Sequence, residues 1–476
     1  MASRPFPFAL VLAIPLAACS SGPDYRPHAV SELGVPENYS VAANSQARED
    51  VTQWWVKFDD PQLASLVDRT RAANLDIAQA VIRLRQARES LVQSRASLLP
   101  TIGAGAGYSR GVAITGGGGG SNDNFSIGGD VSYQADLFGG VRRGVEAARA
   151  GYESTGYNYA AVLISVQAET ARNYVLARRA QADLANAREA LAIQDENLEI
   201  AGFRVQAGLV SSLDAEQARA SRAQTAASIP SLEASYNSFV SRLGVLTGQA
   251  PGALKAELEV IKPIPRGPAS VATGIPAETL RQRPDVRAAE RNLAAATAQI
   301  GIATAQLYPS LSIGGSLDGG GGALSTIFNA VSGRLFANIA QTIFDGGRTR
   351  SQIRSAQAGA DGAFLTYKQT VLGALEEIEN AIVALQAAQR RETEFRIALD
   401  AANNQTLLAR LQYRSGLTDF TTLNQAESSL LSARNGISQA QADQATALIQ
   451  LYLALGGGWD SSVTPQAPEQ ARTDGN

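Results

Sequence analysis

Residues 125–137 read FSIGGDVSYQADL, and the side chains of this stretch alternate between two kinds. The odd positions, from Phe125 through Val131 to Leu137, are apolar or small, whereas the even positions are serine, aspartate, glutamine or glycine. Successive side chains of a β-strand point to opposite faces, so the pattern predicts a strand with one apolar and one polar face. The stretch is long enough to cross a membrane as a tilted strand. A small soluble sheet would show the same alternation, and the pattern alone leaves that alternative open.

Three further stretches alternate in the same way. Apolar or small residues occupy every second position in residues 102–108, 311–317 and 335–339. Glycine-rich segments lie between the stretches of each half, and such segments favour loops. We therefore expect four strands per chain, arranged as two β-hairpins. The predicted hairpins span residues 101–137 and 310–344, with loops at residues 116–123 and 319–322.

The rest of each half has the composition of long helices. Residues 142–206 contain no proline and are dominated by alanine, arginine, glutamate, glutamine and leucine. At about 1.5 Å per residue, one helix over this stretch would be about 100 Å long. Gly208 follows it and can take the left-handed conformation that ends a helix. The predicted helices cover residues 61–99, 142–206, 213–246, 284–307, 349–413 and 419–455.

The two halves of the chain match each other at an offset of 206 to 209 residues. Leu98-Leu99-Pro100 corresponds to Leu307-Tyr308-Pro309, and Leu137-Phe138-Gly139-Gly140 corresponds to residues 343–347, IFDGG. Ordered landmarks at nearly one spacing predict duplication of one structural unit, an internal two-fold repeat. The predicted segments are an N-terminal segment 19–60, repeats 61–250 and 276–457, a linker 251–275 and a tail 458–476.

The N-terminus has the features of a secretory signal. Arg4 precedes an apolar run, residues 8–18, which is too short to span a bilayer permanently. The run ends in Leu16-Ala17-Ala18-Cys19, which resembles a bacterial lipobox, with Ser20 behind it. This predicts a signal peptide at residues 1–18, lipidation of Cys19 and contact with outer-membrane lipid. A plain signal peptide with an incidental cysteine is the alternative.

The composition excludes several classes of function. The chain has one histidine, His28, one cysteine, Cys19, and one methionine, Met1. A Cys/His zinc site, a disulfide framework and a histidine-based catalytic triad therefore cannot form within one chain. Chemistry based on carboxylates or on a serine–lysine pair is not excluded, but no cluster indicates it. The net charge of -3 argues against a nucleic-acid partner. We expect no enzyme activity, metal or cofactor.

Four strands cannot close a barrel, and open sheet edges are not tolerated in lipid. Two copies of the chain would give eight strands, whose side chains fill the interior, whereas three copies give twelve strands and leave a passage. The expected fold is an α+β membrane protein. It is a trimeric, 12-stranded transmembrane β-barrel, with four strands per chain, continued by a long periplasmic α-helical barrel.

Four motifs resemble those of outer membrane factors, the TolC-like channels, in the lipoprotein branch of OprM/NodT-type efflux channels. They are residues 54–63, WWVKFDDPQL, residues 283–290, RPDVRAAE, residues 343–348, IFDGGR, and residues 451–459, LYLALGGGW. With the lipobox and the repeat, the resemblance covers residues 19–460. It implies a homotrimer that works with a periplasmic adaptor, or membrane fusion, protein and an inner-membrane pump of the RND type. Its cargo would be drugs or other small molecules.

The resemblance also implies which residues act at the periplasmic end. Ala207-Gly208-Leu209 and Ser415-Gly416-Leu417 resemble the family's adaptor-contacting motif, although helix capping alone would explain them. Asp214 and Tyr413 match a carboxylate–phenol pair that would hold the entrance closed through a hydrogen bond. Gln425 stands where relatives often carry an aspartate, so a cation-binding ring at the entrance is in doubt.

Two other functions remain to be weighed against an efflux channel. An exit duct for type I protein secretion would have the same architecture, because a tunnel does not encode its cargo. A structural lipoprotein with a coiled-coil spacer would show sustained heptads without membrane strands, and the alternation in residues 125–137 argues against it.

Overall fold

The computed structural model describes residues 21–29, 31–41, 49–112 and 121–466. The predicted signal peptide, Cys19 and residues 116–120 lie outside the described residues. The predicted loop 116–123 is wrong at residues 121–123, because main-chain pairing with residues 110–112 continues the second strand of the hairpin through them. The chain divides into two compact units. The first comprises the described residues up to Pro27, Arg85–Thr155 and Ala289–Tyr367, and the second comprises those of His28–Leu84, Gly156–Ala288 and the chain from Lys368.

Helices account for most of the described chain. Corresponding helices of the two halves have equal lengths: 22 residues in α2 and α7, 67 in α3 and α8, and 35 in α4 and α9. None of the helices in the described ranges combines the length and the hydropathy that crossing a membrane requires. The helices are α1 Pro61–Ala73, α2 Leu75–Ala96, α3 Gly140–Gln206, α4 Ser212–Leu246, α5 Lys255–Leu258, α6 Pro276–Leu280, α7 Pro284–Ala305, α8 Arg348–Arg414 and α9 Phe420–Ala454.

The predicted helix over residues 61–99 is wrong, because the chain forms two helices that meet at Asn74. Asn74 has an extended backbone, and its side-chain oxygen accepts hydrogen bonds from the N–H groups of Asp76, at 2.8 Å, and Ile77, at 3.1 Å. This is the N-cap arrangement that begins a new helix. The side-chain amide donates in turn to the carbonyl of Leu246 at 2.9 Å. The other five predicted helices are confirmed to within two residues at each end.

One antiparallel sheet lies in the first unit, with its strands in the order β1-β2-β3-β4. Val131 of β2 lies opposite Ile102 of β1 and Gly315 of β3, so the two hairpins join through β2 and β3. The predicted loop over residues 319–322 is wrong, since Gly321 is still paired with Phe125. A ladder needs only main-chain groups, and glycine supplies those without a side chain. The strands are β1 Thr101–Val112, β2 Ser121–Ala135, β3 Ser310–Gly321 and β4 Val331–Ala340.

The register separates the side chains of the sheet onto two faces. One face carries the apolar and small residues of all four strands, and several of these are widely exposed in the single chain, including Leu335 at 85% and Ile102 at 83%. The other face carries Asp130, Asp318, Arg334 and several serines, while its one aromatic residue, Phe336, covers Gly314. The predicted two-sided strand is thus confirmed as far as Ala135, and the same division holds in the neighbouring strands except at the ion pair Arg110–Asp123, which lies on the apolar face.

The core of the second unit forms where the chain before α1 meets the end of α9. Trp54 lies in a short 3-10 helix, Trp54–Phe58, and stacks on Tyr452 with ring centroids 5.6 Å apart. Trp55 is also buried. Trp459, after α9, contacts Tyr157 of α3 at 6.1 Å. Trp54 and Trp459 therefore anchor the segments before α1 and after α9 to α9 and α3 by burying large apolar surfaces.

Candidate functional site

Two tight turns connect the helices of the second unit. The first turn, residues 207–211, joins α3 to α4, and the second turn, residues 415–419, joins α8 to α9. Gly208 and Gly416 both have positive φ, at 68° and 72°. In each turn the glycine N–H and the N–H after it bond back to carbonyls three and five residues earlier. This is the Schellman motif that ends a helix, and the predicted turns are confirmed.

Side-chain caps then start the next helix in each case. The Ser211 hydroxyl accepts from the N–H of Leu213 at 3.2 Å, and the Asp419 carboxylate accepts from the N–H and the hydroxyl of Thr422, both at 2.8 Å. The two Thr422 bonds lower the pKa of the Asp419 carboxyl below its usual range, because they stabilise the ionised form. Each turn is therefore defined by local bonds on both sides, which makes it a rigid support for exposed side chains.

The residues predicted to contact an adaptor are all exposed. Leu209 and Leu417 stand out, because 70% and 80% of their surfaces are accessible. Phe203 and Leu213 beside the first turn are also exposed, at 61% and 60%. Large apolar side chains at a helix turn add nothing to the core of this unit. Each of them is therefore accessible to a partner.

The predicted hydrogen bond between Asp214 and Tyr413 does not form in this structure. Tyr413 is buried, with 1% of its surface exposed, and its hydroxyl has no hydrogen-bond partner among the described residues. Its ring packs edge-on against Phe420 at 6.0 Å in a small apolar cluster. Asp214 lies half-buried in the first turn of α4, where a carboxylate is favoured by the helix dipole. Within this chain the Tyr413 side chain is therefore part of an apolar cluster and does not contact a carboxylate.

Arg204 contacts Tyr413 within this chain. Its guanidinium lies over the Tyr413 ring, 4.7 Å from the centroid, and its Nη1 donates to the Tyr413 carbonyl at 3.1 Å. Arg204 is in the last turn of α3, and Tyr413 is in the last turn of α8. The contact therefore joins the two helix pairs, α3/α4 and α8/α9, where both change direction. Nothing in the sequence pattern identifies Arg204 as a functional residue.

Further polar contacts join the same two helix pairs. The buried Glu427 of α9 accepts from Asn197 of α3 at 2.7 Å and from Arg410 of α8 at 3.1 Å. Ser221 of α4 donates to Asn424 of α9 at 2.6 Å. If the pairs separated, Glu427 would keep its charged partner Arg410, which belongs to its own pair. Separation of the pairs would therefore leave no unpaired buried charge at Glu427.

Gln425 is exposed on α9, and no carboxylate takes its place. Gln217, its counterpart on α4, accepts a hydrogen bond from Thr421 at 3.3 Å. At this position an amide replaces the carboxylate of the relatives, and an amide binds metal cations much less well. Among the residues that the structure describes, no group of three or more His, Cys, Asp or Glu side chains could hold a metal ion.

Comparison with known proteins gives concordant matches over nearly the whole chain. A sequence profile of the family described as Outer membrane efflux protein matches residues 66–249 and 275–457. Nodulation protein T of Rhizobium leguminosarum bv. trifolii is 30% identical over 457 residues, which cover 94% of this chain and 96% of that protein. The outer membrane protein OprJ of Pseudomonas aeruginosa is 28% identical, with 95% of both chains covered. The solved structure of the outer-membrane channel OprN superimposes with a TM-score of 0.84 at 33% identity, covering 93% of this chain and all of that one.

Proposed function

Because this chain belongs to the Outer membrane efflux protein family, and so is an outer-membrane efflux channel that reaches into the periplasm, we propose that it works as a homotrimer. Three copies supply twelve strands to one transmembrane β-barrel, and their long helices continue it as a periplasmic helical barrel. The assembly is a passive exit duct for drugs or other small molecules. The equal lengths of corresponding helices support an origin by duplication of one unit.

The single observation that carries this proposal is the sheet with two open edges and an exposed apolar face. Within the described residues, the outer edges of β1 and β4 have no neighbouring strand. Unpaired backbone groups are costly in hydrocarbon, at several kcal/mol each. The β4 edge of one copy can pair with the β1 edge of the next, which removes all free edges and turns the apolar face toward lipid.

Native mass spectrometry of the purified protein in detergent tests this assembly. We expect a complex with the mass of three chains, and we expect the same preparation to conduct ions in planar bilayers. A stable, monodisperse monomer would contradict the proposal, since a single chain leaves the edges open. A dimer would also contradict it, because an eight-stranded barrel has its interior filled by side chains.

Channels of this family work in tripartite systems with a periplasmic adaptor and an inner-membrane pump. We propose that the first and second turns are the surfaces that meet the adaptor, here with a pump of the RND type. The exposed leucines Leu209 and Leu417 would supply the apolar contact, and the rigid caps would hold them in place. The entrance near these turns would be lined by the amide of Gln425, with Asp214 and Tyr413 close to the joint between helix pairs.

A further inference from the structure

Arg204 of α3 contacts Tyr413 of α8 near the two turns, and this contact differs from the ion pairs of the region because it involves no carboxylate. Arg410 pairs with Glu427, and Arg414 pairs with Glu196 at 3.0 Å, so both have a carboxylate partner. Arg204 forms no salt bridge with any described residue, although it is only partly exposed. Its positive charge is therefore directed at the groups that it touches on the second helix pair.

Those groups are the ring and the main chain of Tyr413. The ring face is negative and attracts the guanidinium, which lies 4.7 Å from its centroid. The carbonyl is among the last of α8, where the helix dipole is negative. This carbonyl also accepts the N–H of Gly416, at 3.0 Å, so the contact reaches the bond that closes the second turn.

We infer that Arg204 helps to hold the two helix pairs closed at the turns by acting on the ring and carbonyl of Tyr413, and that its loss weakens the closed state even though other contacts, such as the Arg414–Glu196 ion pair, also cross between the pairs. This inference rests on the proposed channel function. We call the contact of Arg204 with the ring and carbonyl of Tyr413 the latch, since it would keep the channel entrance closed. The hydroxyl of Tyr413 takes no part, because it has no hydrogen-bond partner among the described residues. Separation of the pairs removes Arg204 from both groups at once, and water can then solvate its charge.

A matched pair of charge-removing variants tests the role of Arg204. Arg204→Gln removes the cation but keeps a side chain of similar length. Arg219→Gln, on α4, removes the same charge from an exposed arginine whose ion pair is with Glu216 of its own helix. We expect several-fold higher single-channel conductance in planar bilayers for Arg204→Gln, and wild-type conductance for Arg219→Gln. Trimer mass and the thermal midpoint serve as the checks on folding.

Two substitutions of Tyr413 distinguish a closed state held through its ring and carbonyl from a closed state held through its hydroxyl. Tyr413→Phe keeps the ring and the carbonyl, so its conductance should equal that of the wild type. Tyr413→Leu removes the aromatic face and should raise conductance as Arg204→Gln does. Since these variants leave Arg204 unchanged, they decide the matter even if Arg204→Gln fails to assemble.

Several outcomes would overturn the inference. Wild-type conductance in a folded Arg204→Gln trimer, or an equal rise in Arg219→Gln, would show that Arg204 has no specific effect. A rise in Tyr413→Phe as large as in Tyr413→Leu would show that the closed state is held through the hydroxyl. If no variant and no wild-type trimer conducts, the proposed channel function itself is contradicted, and the latch with it.

Discussion

Asn74 interrupts a run of helix-forming residues because its side chain bonds to the main chain on two sides. Its oxygen caps α2, while its amide satisfies the carbonyl of Leu246 at the end of α4. Asn74 itself is buried, so water does not replace these bonds. One residue therefore determines both where α2 begins and how the end of α4 is held.

Replacing Asn74 with alanine should destabilise the second unit. Loss of a cap costs about 1 kcal/mol, and a buried carbonyl without a donor costs about 1–3 kcal/mol more. We expect a lower midpoint of thermal unfolding in detergent, and circular dichroism measures it. Asn237→Ala is the matched control, because Asn237 is exposed and donates only to Glu233 of its own helix. An unchanged midpoint in Asn74→Ala would show that the two bonds contribute little.

At the scale of elements, β2 holds the sheet together, since it pairs with β1 of its own hairpin and β3 of the next. Its side chains lie on two faces with opposite requirements. Val131, between Ile102 and Gly315, is on the apolar face, and Ser132, between Thr101 and Gly314, is on the polar one. Because Val131 and Ser132 are adjacent, the same substitution can be made on each face of the sheet. In the proposed barrel, one of these faces contacts lipid and the other faces the interior.

Val131→Asp should impair barrel assembly, whereas Ser132→Asp should be tolerated. A charge on the lipid face costs up to about 2–4 kcal/mol at mid-membrane, somewhat less for a carboxylate, and a charge facing water costs little. The measurement is the fraction of heat-resistant trimer in isolated outer membranes. Equal yields of trimer from both variants would mean that the apolar face does not contact lipid.

At the scale of the whole molecule, the chain is proposed to reach the membrane in two ways, through its sheet and through Cys19. Ser21, the first described residue, donates its N–H to the carbonyl of Phe138 at 3.1 Å, just after β2 ends. Buried Arg143 holds this segment by donating to the Ser21 carbonyl and to Asp24.

We propose that Cys19 is acylated, and that the lipid is not required for the channel. Cells grown with a radioactive fatty acid should label the wild-type protein and leave Cys19→Ser unlabelled. The Cys19→Ser protein should still form a conducting trimer, because twelve embedded strands anchor it more firmly than acyl chains do. A wild-type protein that takes up no label would rule the acylation out.

The sequence by itself determined the features that depend on neighbouring residues. Alternation with a period of two identified the faces of the strands, and Gly208 and Gly416 identified the turns, because both follow from local backbone geometry. The long proline-free stretches predicted α3 and α8 to within two residues at each end.

Only the tertiary structure decided which side chains meet across the fold. Arg204 and Tyr413 are 209 residues apart, and Asn74 and Leu246 are 172 residues apart. A periodic pattern shows which face of a helix is buried but not what lies against it. The register between β2 and β3, which keeps Gly319–Gly321 in the sheet, depends in the same way on the partner strand. Long-range pairing therefore placed the Arg204 cation beside Tyr413, whereas the family resemblance had implied Asp214 there.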